Sequence, residues 1–165
     1  MPRSQRRTLL LGRAVALSVT VSTAVPARAV AVAQPNMLRV VIASGPHAGT
    51  YEPPAAGVIC RYSDMEQHFS AAYENFDRIG ASALSEAEID VSNPDDSGPR
   101  RGFVRVAFGD AARRPTIYEV SVPKSQAAGL TMTRAGTTGS LAFSGRTSTG
   151  IALTLSARCQ AIATG

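Results

Sequence analysis

Apolar and polar side chains alternate at every second position along most of this chain, and that period decides its architecture. Ile151, Leu153, Leu155, Ala157 and Cys159 make one such face, with Ala152, Thr154, Ser156 and Arg158 between them. Successive side chains of an extended strand point to opposite sides, so this pattern predicts a strand with one buried face. The signature recurs at Leu38/Val40/Ile42, Val58/Cys60/Tyr62, Val104/Val106/Phe108 and Tyr118/Val120/Val122. Leu130/Met132 and Leu141/Phe143 are shorter versions, and Leu84–Val91 reads as a further strand. Turn formers punctuate the runs: Ser44–Gly49, the breaker-rich Asn93–Pro99, and the Gly145–Gly150 hairpin. About eight strands at this spacing predict an all-β domain, an antiparallel β-sandwich or a small barrel.

One stretch fits two periods. Ser63 and Glu66 match a capping box, and Tyr62, Met65, Phe69, Tyr73 and Phe76 follow helical spacing, which would make a short helix near 64–76. Met65, Phe69, Ala71 and Tyr73 equally share one face of a strand. The all-β surroundings favour the strand.

The first 29 residues have the layout of a cleaved secretory signal peptide. Arg3, Arg6 and Arg7 precede a small, apolar run from Ala14 to Val25, followed by Ala27-Arg28-Ala29 as an A-x-A cleavage signature. The run is about 12 residues, short of the roughly 20 that a membrane-spanning helix needs. Arg6-Arg7-Thr8-Leu9-Leu10 also resembles a twin-arginine signal, and Ala31-Val32-Ala33 offers a second cut. Residues 30–36 then form a flexible tether, and 37–165 the single folded domain. The expected compartment is extracytoplasmic, periplasmic or secreted, with no membrane span after cleavage.

Cleavage also changes what the charge means. Five of the 17 basic residues lie in the signal and none of the 12 acidic ones, so the remainder is formally neutral. A pI near 9.9 would suggest nucleic acid, but the exported domain gives no such reason, and no nucleic-acid partner is expected. Within that domain charge is segregated: Asp64–Asp96 is acid-rich and Arg100–Arg158 base-rich. Cross-strand pairing between the halves would contribute roughly 0.2–1 kcal/mol per pair. The alternative is a dipolar molecule with oppositely charged faces.

Cys60 and Cys159 are the two cysteines. In an oxidising compartment they are expected to pair, tying an early strand to the last long one. A redox or metal role is disfavoured, because they are far apart, form no C-x-x-C and have no histidine at ligand spacing.

Few residues suggest chemistry. Asp64, Glu66 and His68 would share one face of a strand, and a carboxylate–imidazole set can hold a metal or move a proton. They are the candidate metal residues, weighed against a solvated polar face. Asn93, Asp95 and Asp96 offer oxygens to calcium but lack the ligand alternation of a calcium loop. Gly145–Gly150 lacks the lysine and following helix of a phosphate loop. No G-x-S-x-G elbow is present, no cofactor is implied, and catalytic residues are assigned to none.

The hairpin Ser140-Leu141-Ala142-Phe143-Ser144-Gly145-Arg146-Thr147, with Gly150 and a strand ending in Cys159, resembles small secreted bacterial proteins of unknown function. Ser44–Tyr51 ahead of Cys60, and Ala107-Phe108-Gly109-Asp110, fit the same pattern. The layout is loosely similar to mycobacterial lipoprotein antigens, which carry a comparable two-cysteine frame on a β-sandwich. The resemblance implies fold and compartment and brings no catalytic residues. The chain departs from the lipoproteins in having no cysteine at the cleavage point. The expected function is therefore a non-enzymatic binding or envelope-associated module, whose partner is an envelope protein or a small apolar ligand. The alternatives are a metal-assisted hydrolase using Asp64, Glu66 and His68, and a carrier of an apolar ligand.

Overall fold

Two sheets face one another across a core supplied by the alternating positions. The computed structural model describes residues 35–165, apart from 76, 78–79, 93–100, 111–113 and 124–128. The signal segment, tether residues 30–34 and the Asn93/Asp95/Asp96 turn lie outside the described residues.

The five-stranded sheet contains β1 (Met37–Ile42), β2 (Gly49–Tyr51), β8 (Leu130–Ala135), β9 (Thr138–Arg146) and β10 (Ala152–Cys159), in the order β2-β1-β10-β9-β8. The six-stranded sheet contains β3 (Val58–Ser63), β4 (His68–Glu74), β5 (Leu84–Ser92), β6 (Arg101–Phe108), β7 (Thr116–Val122) and β11 (Ile162–Thr164), in the order β11-β3-β4-β5-β6-β7. All pairings are antiparallel except β11 with β3. The sheets stay open, so the molecule is a sandwich and not a barrel.

The described residues hold eleven strands where about eight were expected. The additions are β2, β11 and β4, the last being the ambiguous stretch. β4 pairs with β3 on one side and β5 on the other, and Phe69, Ala71 and Tyr73 fill the core. Two-sided pairing satisfies its backbone as well as a helix would and buries that face completely. The helical reading over 64–76 is thus overturned. Its capping hydrogen bond nevertheless exists: the Glu66 amide donates to Ser63 Oγ at 3.2 Å, within a turn at 64–67 in which Gln67 has φ +50. A local side-chain bond of this kind serves a turn as readily as a helix start. Met65 is left 93% exposed on that turn instead of joining Phe69 in the core.

Register keeps apolar positions opposite one another. Leu38, Val40 and Ile42 pair with Ala157, Leu155 and Leu153, while Ala71 lies between Cys60 and Ile89. A one-residue slip would turn each set to solvent, so the hydrophobic pattern fixes the pairing. Each large side chain buried here contributes about 1.5–3 kcal/mol.

The chain changes sheets at its end. β10 finishes at Cys159, and after Gln160 and Ala161 the chain re-enters as β11 alongside β3, with Ile162 opposite Cys60. A disulfide joins Cys60 to Cys159 at this crossing and links the sheets, with a Cα–Cα distance of 6.0 Å. Arg134 of β8 also reaches across, its guanidinium 3.6 Å from the Tyr62 ring centroid. Asn36 reinforces the crossing. Its Oδ1 accepts from the Gln160 and Ala161 amides at 2.8 and 3.0 Å, and its Nδ2 donates to the Val58 and Ala161 carbonyls at 3.2 and 3.3 Å. The expected tether therefore stops short of Asn36, which is stitched into the fold. Asn36→Ala should lower the unfolding free energy by about 1–2 kcal/mol, because two backbone amides lose their acceptor. Urea unfolding monitored by tyrosine fluorescence checks this, and an unchanged midpoint would contradict it.

Candidate functional site

The outer face of the six-stranded sheet carries a groove over β4. Ser70 and Ala72 are short and form its floor. Ile59 and Arg61 rise from β3 on one side, and Glu88 from β5 on the other. Registers are Arg61–Ser70–Asp90 in one row and Ile59–Ala72–Glu88 in the next. His68 and Glu74 stand at the two ends of the floor, and the groove encloses about 360 Å³. With strands about 4.8 Å apart, the walls rise from backbones roughly 10 Å apart. Short residues between long neighbours are thus sufficient to make a trough.

The β5 wall is a ladder of carboxylates, Glu86, Glu88 and Asp90, on one side of the strand. Its ends are matched. Arg105 Nε lies 2.9 Å from Glu86 Oε1, and Arg105 Nη1 lies 3.8 Å from Glu119 Oε2. Asp90 Oδ2 accepts a hydrogen bond from His68 Nε2, while His68 Nδ1 stands 3.9 Å from Glu66 Oε2. Glu88, between them, has no hydrogen bond or ion pair among the described residues. Partial burial raises its pKa above the ordinary carboxylate value, and Asp90, Glu86 and Glu74 push the same way, against the opposing influence of His68. Burial also raises the pKa of Asp90, opposed by His68.

An acid whose pKa is higher in the folded state retains its proton there at a pH where the unfolded chain has lost it. Its contribution to stability therefore falls as pH rises from about 4.5 through the raised value. Above that window the Glu88 charge opposes folding. Glu88→Gln is expected to raise the melting temperature at pH 7, with the advantage vanishing below pH about 4. Calorimetry at both pH values checks it; a loss of stability at pH 7 would mean that the carboxylate has a stabilising partner.

The sequence candidates separate in space. His68 begins β4 and Glu66 approaches it, but Asp64 is exposed on the preceding turn, where its backbone carbonyl accepts from Gln67 Nε2 at 2.9 Å. The expected common face of Asp64, Glu66 and His68 fails, because the chain reverses at 64–67. Among the described residues no three His, Cys, Asp or Glu side chains are grouped to hold a metal. Asp90, which the sequence reading missed, is His68's hydrogen-bond partner instead, and Glu88, also missed, stands one row beyond Asp90 on β5. The Glu86-x-Glu88-x-Asp90 spacing was the available signal, since it puts three carboxylates on one strand face.

His47, read as a turn residue, is in a turn but buried at 8% exposure. Its ring stacks on Phe108 at 4.3 Å, Nδ1 accepts from the Tyr118 hydroxyl at 2.9 Å, and Nε2 donates to the Ala81 carbonyl at 3.3 Å. Tyr51 donates to the His47 carbonyl at 3.0 Å. With both ring nitrogens engaged, this cluster closes one end of the sandwich. Burial, with Tyr51 adding, holds the Tyr118 phenol above its ordinary pKa, against the opposing influence of the His47 backbone.

The described strand bases of the base-rich segment divide between the sheets, Arg101 and Arg105 on β6 and Arg134, Arg146 and Arg158 on β8, β9 and β10. Arg39, Arg146 and Arg158 lie on the outer side of the five-stranded sheet among serines and threonines, with Glu52 3.5 Å from Arg39. The carboxylate ladder lies on the opposite sheet. Arg105 of the base-rich segment pairs with Glu86 of the acid-rich one and stands opposite Glu88 in register, so the two segments meet across β5 and β6. Gly145–Gly150 is the anticipated hairpin, with Gly150 at φ +83.

Comparison with protein-family models, curated proteins and solved structures returned no match. The disulfide is compatible with an extracytoplasmic location, and among the described residues no helix is long and apolar enough to cross a membrane.

Proposed function

We propose that the protein is an exported, non-enzymatic binding module of the extracytoplasmic space, and that the groove over β4 is its binding surface. The observation that supports this most is Glu88: a half-buried carboxylate with neither a hydrogen bond nor an ion pair among the described residues, at the edge of a groove, opposes folding, and such local conflicts concentrate at functional sites. The N-terminal signal layout and the inter-sheet disulfide support export. The resemblance to small secreted two-cysteine proteins points the same way.

A metal-assisted hydrolase on Asp64, Glu66 and His68 draws less support, since Asp64 stands away from His68. An apolar-ligand carrier draws less still, because Tyr62, Phe69, Phe108 and Leu141 occupy the space between the sheets. Native mass spectrometry of protein purified from its own envelope or culture fluid tests the reading. The expected species lacks about 29 residues (the A-x-A signature), contains one disulfide and carries a small polar adduct that Glu88→Gln weakens. Hydrolytic turnover abolished by His68→Ala would overturn the reading.

A further inference from the structure

Resting on the groove as a binding surface, we propose that its ligand is a small zwitterionic peptide, held by its ammonium at Glu88 and its carboxylate at Arg61. Three observations meet here. Glu88 is the member of the β5 ladder with neither a hydrogen bond nor an ion pair among the described residues, Asp90 being engaged by His68 and Glu86 by Arg105. On the opposite wall Arg61 is exposed and likewise makes no ion pair among the described residues. On the floor beside Arg61, and one register row from Glu88, is Ser70, 7% exposed, lining the groove with a hydroxyl that has no hydrogen-bond partner among the described residues.

The two charges do not meet each other because a whole strand lies between their backbones. A ligand with opposite charges at its ends supplies what each lacks. A simple cation would gain Glu88 but face Arg61, and a simple anion would gain Arg61 but face Glu88 and Glu74. Arg61 and Glu88 stand one register row apart, so their backbones are roughly 12 Å apart along the diagonal, and two peptide residues reach at most about 7 Å; the Arg61 and Glu88 side chains close the difference. The buried Ser70 hydroxyl, in the same row as Arg61 and one row from Glu88, can donate to or accept from the ligand's amide. Ile59, 50% exposed beside Arg61, offers an apolar contact to a ligand side chain.

The test is an amide-resolved NMR titration of the folded, disulfide-bonded protein. The probes are alanyl-alanine, its N-acetyl form and its C-terminal amide, followed by cadaverine and succinate. Alanyl-alanine should give saturable shifts at Arg61, Ser70, Ala72 and Glu88. Each cap, and each of Glu88→Gln and Arg61→Gln, should weaken it about tenfold, the usual effect of losing a charge-assisted contact. Ser70→Ala should weaken it a few-fold. Equal binding of either capped peptide, or shifts centred elsewhere, would overturn the proposal. Shifts at these amides with cadaverine or succinate but not alanyl-alanine would overturn the zwitterion and keep the binding surface; no saturable shift with any probe would overturn both.

Discussion

Replacing Cys60 and Cys159 together by alanine should lower the unfolding free energy by about 3–5 kcal/mol. The bridge closes a loop with a sequence separation of 99, and cross-linking so long a segment removes much of the unfolded chain's freedom, up to about 4.7 kcal/mol in the chain-entropy account. Both sulfurs are buried between the sheets, so no other contact substitutes for them. Denaturant titration of the oxidised protein against the double variant measures the difference. Hydrogen exchange should show β11 opening first in the variant, because that strand is short and hangs from the crossing that the bridge secures. A loss below about 1 kcal/mol would mean that core packing alone holds the sheets together.

Phe108→Ala should cost about 3–5 kcal/mol, the usual range for an aromatic ring lost from a close-packed core. Phe108 is 1% exposed, and its ring stacks on His47 and meets the edges of Tyr51 and Tyr118 at 4.8 and 6.0 Å. Its loss therefore unseats a polar cluster as well as opening a cavity. His47→Phe separates the two effects. It keeps a stacking ring but strands the Tyr118 hydroxyl and the Ala81 carbonyl, and should cost about 1–3 kcal/mol. Urea midpoints of both variants check the ordering; His47→Phe costing more than Phe108→Ala would show that hydrogen bonding dominates that end of the sandwich.

How much of this was legible in the sequence depended on how local the cause was. The apolar alternation of β1, β3, β6 and β10 is a property of single strands, and so was readable. β2 and β11 are three residues each, too short for any period to show, and they exist because a neighbouring strand offers an edge. β4 satisfied both periods, and its partners on either side decided between them. The disulfide was readable because two cysteines leave one pairing. The site was less so. His68 was singled out with its sequence neighbours Asp64 and Glu66, yet its hydrogen-bond partner is Asp90, 22 residues away on β5. Glu88 is unusual only because Arg105 and His68 take the carboxylates on either side of it, which no local reading of the chain can reveal. His47 was read as a turn residue, and nothing near it in sequence predicts the Phe108 and Tyr118 rings that enclose it.

Cys60 lies between Ile59 and Arg61 in β3, its sulfur turned inward while their side chains rise outward to form the wall of the groove. The covalent bond that holds the sheets together therefore also anchors the backbone beneath that wall. With β4 and β11 pairing on either side of β3, the wall has its place in the fold, and for the ligand proposed above little ordering would be left to oppose binding. The outer face of β3 is thus tied through one covalent bond to the opposite sheet.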